Sequence, residues 1–551
     1  MKRLFSYILA LAFSSTLVTA QETVGLLLND SLSFNGYSLF GVGMNTYLVD
    51  NCGFQVNSWA HDTDPGLSTY LTEDGTLIRC GRVNGPLLGS GNGGLIEELD
   101  WEGNVIWSYQ YSNDSLQHHH DISVMNNGNI LLLAWELKNE AEVIANGAEN
   151  SIVYWPDHII ELQKQGTNEA LIVWEWHVWD HLVQDFDSSK ENYGVVSEHP
   201  ELINLNAYPP NNGDWNHLNS IYYNETRDEI IVSSRFFSEI WIIDHSTSTT
   251  EAAGHTGGFH GRGGDLLYRF GNPQNYGRGT ADDRLFYSQH SPSWIIESTT
   301  FQGEISVFNN GVFQPGDDFS SIQVFAPPID SQDHYTTPEI GPFGPTDFSW
   351  SYSASNPTSF LSTNQGSVHG LPNGNFLIDS SAQGHFFEVT EQGQIVWEYQ
   401  VPIQFGTQMN QGDEWMSLGG GRAFRVERYS PDFHGFNGQN MESGLPIELN
   451  PLPSDCIIYE SVPTFSINPS EELNFDMLYQ YDIKLLTIIN TSLQNIDLNV
   501  FDLSGRKISS QIISSGRHEI SLQHLVQGMY LVHVTDIMNR TSVSQKLIIQ
   551  N

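Results

Sequence analysis

Apolar and polar positions recur along this chain in one grammar. A turn ending in Gly or Asn leads into a β-rich strand, then a small-residue gap, a second strand ending in an acidic residue, another turn, and a strand ending in Trp. The clearest copy has its turn at Leu371 to Asn375, strands from Phe376 and from His385 to Thr390, a turn at Glu391 to Gly393, and a last strand from Ile395 to Tyr399. It reads as an antiparallel meander of three strands. A second copy runs from Glu73 to Tyr109 and a third from Asn126 to Trp174, with partial copies at Thr46 to Trp59, Asn219 to Asp244 and Ser291 to Val307. A short antiparallel unit that cannot bury both faces alone, repeated about six times, predicts a β-propeller. The recurrent Trp is then a blade-to-blade contact. No long helical pattern interrupts the repeats.

After Tyr459 the pattern changes. Residues 461–475 read as a linker, and 476–551 carry short alternating strands about every ten residues, the pattern of a small β-sandwich. At the other end, Lys2 and Arg3 precede an apolar run to Val18 and a small-residue site at Ala20, so residues 1–20 read as a signal peptide and 21–460 as the propeller. No other stretch has the length and apolarity of a membrane span. The fold expected is all-β: a six-bladed β-propeller followed by a small C-terminal β-sandwich.

Charge narrows the partners. The chain has 65 acidic and 22 basic residues among 551, a formal charge of −43. Nucleic acid is excluded as a natural partner, and an anionic substrate would need Arg, His or backbone N–H groups gathered locally. Cys52, Cys80 and Cys456 stand far apart in no metal-ligand spacing, so no disulfide framework holds the fold, although one pair could form in an oxidising compartment.

The histidines carry the candidate chemistry. His119 or His120, His217, His290 and His369 each open a strand in a different repeat, so a closed ring would aim them at one axis. Neutral imidazole is a nucleophile for phosphoryl and sulfuryl groups, and further His, Asn and Arg donors can hold the equatorial oxygens. No cofactor is needed for that reaction. Two other readings stay open at this point: a propeller that binds sulfated or phenolic ligands without turnover, and a metal-dependent hydrolase using the run His118 to Asp121.

Several segments together resemble the arylsulfotransferase family of cofactor-independent, six-bladed propellers. They are Thr46 to Asp50 with Trp59, His119 to Ile122 with Asn127 to Asn129, Asp214 to Ser220 with Ser233 to Arg235, Gly264 to Pro273 with Gly277 to Gly279, Gln289 and His290 with Trp294, and Leu371 to Asn375 with Trp397 to Tyr399. The resemblance implies that His290 is the nucleophile that becomes a sulfohistidine, that His217, Asn219 and Arg235 hold the sulfuryl oxygens, and that His119 or His120 supplies a further contact. His369 occupies a similar repeat position without a family role. The substrates implied are a phenolic sulfate donor and a phenolic acceptor, with no metal. Enterobacterial members carry a cysteine pair near the nucleophile and an N-terminal β domain; this chain has neither beside His290 nor room between Gln21 and the first repeat.

The tail resembles the C-terminal sorting domain of Bacteroidetes type IX secretion, through Asp502 to Arg506, Gly528 to Val534 and Lys546 to Ile549. That implies recognition by the secretion machinery, passage through the periplasm, and a secreted or cell-surface protein.

Overall fold

In a computed structural model of the chain, the residues described are 22–85, 91–210, 212–296, 298, 300–416, 420–459, 475–480, 484–490, 496–502, 506–525, 528–536 and 542–549. The signal peptide expected over residues 1–20 and nearly all of the 461–475 linker lie outside them. What is described is a β-propeller followed by a β-sandwich.

Six antiparallel sheets succeed one another along the propeller. Blade 1 is Val426–Tyr429, Tyr37–Val42, Asn45–Val49 and Gln55–Ala60; blade 2 is Pro65–Leu71, Leu77–Arg82, Gly94–Leu99 and Val105–Gln110. Blade 3 is Leu116–Val124, Ile130–Glu136, Asp157–Gln165 and Glu169–His177; blade 4 is Leu218–Asn224, Glu229–Ser234, Glu239–Asp244 and Tyr268–Phe270. Blade 5 is His290–Trp294, Ile305–Asn309, Ser321–Phe325 and Trp350–Tyr352. Blade 6 is Ser367–Gly370, Phe376–Ser380, His385–Val389 and Ile395–Gln400, with Gly25–Asn29 added at its outer edge. From blade 2 to blade 6 the first strand of each blade neighbours the first strand of the next; Tyr37–Val42 joins blade 1 to blade 2, and Val426–Tyr429 meets Phe376–Ser380 of blade 6 to complete the ring.

Each repeat therefore holds four strands where the hydrophobic pattern predicts three. The extra one is the innermost, which in blades 3 to 6 is broken up by His, Ser or Asn and so lacks a continuous apolar signature. The middle strands are buried on both faces because a blade packs on either side; every residue of Glu229–Ser234 and Glu239–Asp244 is buried, and alternation disappears there.

The recurrent Trp lies on the fourth strand of its blade and reaches into the following blade. Its indole N–H donates to Asp100 O from Trp59, to Glu169 O from Trp107, to Thr247 Oγ1 from Trp174, to Glu391 O from Trp350 and to Asn51 O from Trp397, all at 2.7–3.1 Å. Between blades 4 and 5 the Tyr268 hydroxyl takes this place, donating to Gly344 O at 2.6 Å. A large apolar ring fills the seam while its polar edge finds an acceptor.

Beyond Tyr429 the chain runs back across blade 1. Ser443 donates to Asp50, Ile447 is buried, and Cys456 forms a disulfide with Cys52, 404 residues away in sequence. The C-terminal unit packs Phe475–Gln480, Leu485–Asn490 and Gly516–Ser521 against Lys507–Ile513, Ile496–Asp502, Gly528–Asp536 and Ser542–Ile549. Leu486, Ile488, Leu498, Val500, Val532 and Val534 fill the space between these two sheets.

A bridge closing so long a loop restricts the unfolded chain strongly. The double variant Cys52→Ser/Cys456→Ser is expected to lose about 2–5 kcal/mol of stability. Urea unfolding measures this; an unchanged midpoint would show that the bridge contributes nothing to the stability of the ring.

Candidate active site

The inner strands are bent where the histidines sit. His120 (φ 55°), His217 (φ 52°), Ser288 (φ 60°) and Ser291 (φ 51°) all adopt the left-handed conformation, which costs a non-glycine residue on the order of 1–3 kcal/mol. Strand register slips at the same places: between Leu132 and Ala134 opposite the His119 to Asp121 segment, between Leu218 and Ser220, and between His290 and Ser293. Bulges of this kind re-aim a side chain. Here they bring three imidazoles from blades 3, 4 and 5 together, with the rings of His120 and His217 4.7 Å apart.

Each of the three rings is anchored through Nδ1. His217 Nδ1 is 2.6 Å from Asp214 Oδ2, and the ring lies 4.7 Å from that of Phe236. His290 Nδ1 is 2.7 Å from Asn310 Oδ1. The Asn310 amide nitrogen donates to Ser362 O and Gln365 O, which leaves its oxygen to accept from the ring. His290 therefore carries its hydrogen on Nδ1 and a lone pair on Nε2, where the Gln365 N–H donates at 3.2 Å. His120 Nδ1 is 2.8 Å from His119 Nδ1, and His119 Nε2 is 2.5 Å from Asp157 Oδ1. A carboxylate and two imidazoles thus form one line ending at His120 Nε2. Neither His120 Nε2 nor His217 Nε2 bonds to another described residue.

Burial dominates the electrostatics. It holds His290 down to about 3, with the nearby Arg235 guanidinium adding to the effect. Burial likewise holds His119 and His120 well below the ordinary imidazole range, with His217 adding to both, and pushes Asp157 well above the carboxylate range. Burial disfavours charge on all three groups, and the arrangement in which all three are neutral has the shared hydrogen on the Asp157 carboxyl, His119 donating from Nδ1 and His120 carrying a hydrogen on Nε2. Arg235 is lowered by burial, forms no ion pair with any described carboxylate, and rests over the Phe236 ring at 5.4 Å. In a chain of charge −43 it is a cation without a resident anion.

The two candidates in the His run separate cleanly. His120 joins His217 and His290, whereas His119 turns away, stacked on Trp135 at 4.0 Å and bound to Asp157. His118 accepts from Gly94 N, and Asp121 binds Arg425 Nη2 at 2.7 Å and accepts from Tyr70 and Ile221 N. The run His118 to Asp121 is therefore spread over four sets of partners and does not converge as a ligand set. Asn219 Nδ2 donates to Gln289 O at 2.9 Å, so one of its amide hydrogens holds the strand before His290. His369 sits apart, with Nε2 3.5 Å from Glu427.

Asp157, Asn310 and the Gln365 N–H escape a reading of the sequence. Asp157 opens a strand that otherwise reads as core, Asn310 follows one, and a backbone donor has no residue signature. Gly91 is a fourth such position: its φ is +93°, and a Cβ there would lie 2.0 Å from the His120 ring. Among the described residues, one group of side chains has metal-ligand proximity, His181 with His255 and Asp265, outside this site.

Comparison with known proteins matches residues 45–335 to the family "Arylsulfotransferase (ASST)" and residues 483–550 to the "Secretion system C-terminal sorting domain". No curated protein sequence matches the chain. Among solved structures, a protein of unknown function from Bacteroides caccae is 12% identical, covering 66% of this chain and 93% of its own, with a TM-score of 0.37. A streptogramin B lyase is 12% identical over 74% of this chain and 97% of its own, at 0.34. Apo AztD from Citrobacter koseri is 8% identical over 68% and 96%, at 0.31. At these scores none of the three informs the activity of this chain.

Gly91→Ala tests the fit around His120. The new methyl displaces the ring by about an ångström, which is expected to cost roughly 10²-fold in activity while circular dichroism stays unchanged. Wild-type turnover by this variant would show that the His120 position is not critical.

Proposed function

The chain belongs to the arylsulfotransferase family, and we propose that it moves a sulfuryl group from a phenolic sulfate ester to a phenolic acceptor through a sulfohistidine at His290. Its C-terminal sorting domain marks it for type IX export, so the protein is secreted or held at the cell surface. Among the described residues no helix is long and apolar enough to cross a membrane.

The observation that carries the reading is the tautomer of His290. Asn310 fixes the hydrogen on Nδ1, so Nε2 offers a lone pair without prior deprotonation. In the first step that lone pair forms the N–S bond, the S–O bond to the aryl group breaks, and its electron pair leaves on the phenolate. His120 Nε2 gives the phenolate a proton; His119 passes its Nδ1 hydrogen to His120 and takes the Asp157 proton on Nε2. The carboxylate is left ionised, and every hydrogen is accounted for. An acceptor phenol then attacks sulfur while the same line runs backwards.

Arg235 and the free amide hydrogen of Asn219 would hold the sulfuryl oxygens as charge shifts across sulfur, while His217, whose Nδ1 hydrogen is taken by Asp214, lines the site beside them. Once sulfur occupies the Nε2 lone pair, the Gln365 N–H is placed to donate to a sulfuryl oxygen. The sulfo-imidazole keeps its Nδ1 hydrogen on a neutral amide oxygen, which preserves its positive ring and therefore its quality as a leaving group.

Intact mass after brief exposure to 4-nitrophenyl sulfate is expected to show one added sulfuryl group, discharged by phenol. His290→Ala should lack the adduct and lose transfer by roughly 10³-fold or more. A folded wild-type protein with neither adduct nor released nitrophenol would favour a propeller that only binds such ligands.

The pH dependence follows from the lowered His290 value of about 3. A depressed imidazole keeps its neutral, nucleophilic form as pH falls. The single-turnover burst of nitrophenol should therefore stay within about twofold from pH 8 to pH 5. An acid limb centred on the ordinary imidazole value of 6.5 would contradict this burial.

A further inference from the structure

Away from the channel, three side chains of ligand type converge beside the outer edge of blade 3. His181 follows the short turn Val178–Asp180, and its Nδ1 is 2.8 Å from Asp265 Oδ1. His255, on the loop leading to blade 4's outer strand, brings its own Nδ1 to 2.8 Å from the same oxygen. One ligand atom from each lies within 4.8 Å of the others.

The hydrogen-bond pattern leaves a place for a positive centre. His181 Nε2 is 2.8 Å from the carbonyl oxygen of Ala252, which only accepts, so Nε2 carries the hydrogen. In a neutral ring Nδ1 is then a lone pair, and it faces a carboxylate oxygen that offers another. The His181 side chain is fully buried, so water does not separate them. Two acceptors at 2.8 Å, joined by a third nitrogen, need either an extra proton or a metal ion between them.

We propose that His181 Nδ1, His255 Nδ1 and Asp265 Oδ1 bind a divalent transition-metal ion of the zinc class, and that the ion pins the glycine-rich loop 253–265 to blade 3. The ligand set is two imidazoles and a carboxylate, with the exposed His255 side leaving a fourth position open to solvent. The surroundings fit the role. A ligating His ordinarily donates its second ring N–H to a carbonyl, which is what His181 does with Ala252. Trp176 stacks on His181 with an interplanar angle of 8° and donates to Gly264 O at 2.7 Å. Gly264 lies so close that a Cβ would meet His181 Nε2 at 2.6 Å and the Ala252 oxygen at 2.0 Å. The loop between is short of regular structure, with positive φ at Gly257, Gly258, Gly261 and Gly263, so a metal bridge supplies order that a hydrogen-bond ladder does not. The ion is structural: the sulfuryl transfer proposed above makes no use of it.

The test is calorimetric titration of the chelator-treated, full-length mature protein with zinc chloride, alongside thermal unfolding. One equivalent is expected to bind, with a rise in Tm. His255→Ala, at an exposed position, should keep its Tm in chelator but weaken zinc binding by about 100-fold or more, since even an outer-shell partner is worth 10–100-fold. His217→Ala should bind zinc as the wild type does, which separates this site from the channel histidines. Absence of zinc uptake by the wild type would overturn the proposal and leave a protonated His181 paired with Asp265. Uptake unaffected by His255→Ala would overturn it equally, by locating the metal elsewhere.

Discussion

Asp157 stands on the third strand of blade 3, yet its side chain serves blade 4 and the channel. One oxygen takes Asn216 Nδ2 at 2.6 Å and Leu218 N at 2.7 Å; the other meets His119 at 2.5 Å. A carboxyl with no contact to water is costly unless its lone pairs are filled, and here the filling groups are the ones that orient the strand entering from His217. Asp121 does the corresponding work two strands inward, joining Tyr70 of blade 2, Ile221 of blade 4 and Arg425 beside the closing strand. The blades are thus registered at the axis by buried acids and at the rim by indole N–H groups. The channel histidines inherit their positions from the first of these.

That arrangement leaves a place for an anionic ligand in so acidic a protein. The acids near the axis are either bonded to backbone and side-chain donors or pushed by burial toward their neutral form, so little negative charge faces the ligand. Arg235 is left as the charge that counts locally. Low dielectric around it strengthens its hold on an incoming anion, while the surface excess of carboxylates acts only through screened, longer distances.

Much of the architecture was legible because outer and middle strands keep their apolar signature. The copy from Glu73 to Tyr109 corresponds to Leu77–Arg82, Gly94–Leu99 and Val105–Gln110. The closing strand Val426–Tyr429 was not, since Glu427 and Arg428 give it the look of a loop. His217 and His290 were legible from their place at strand starts. His119 and His120 could not be told apart, being neighbours whose divergence depends on a left-handed φ at His120 and on contacts far away in sequence. His369 obeys the same positional rule but pairs with Glu427, because position in a repeat does not specify the bulge that turns a side chain inward. The disulfide between Cys52 and Cys456 joins residues whose proximity depends on the ring being closed.

The closing strand also sets an order in time. Blade 1 holds its three outer strands from the start of the chain but lacks its innermost until residue 429 is available, and Arg425, which bonds to Asp121 at 2.7 Å, arrives just ahead of it. Pairing such distant segments is slow, because loop closure must precede any gain from the contact. Assembly of the channel is therefore expected among the last events of folding, and a chain cut short before Arg425 has an open ring and leaves Asp121 without its Arg425 partner at the axis.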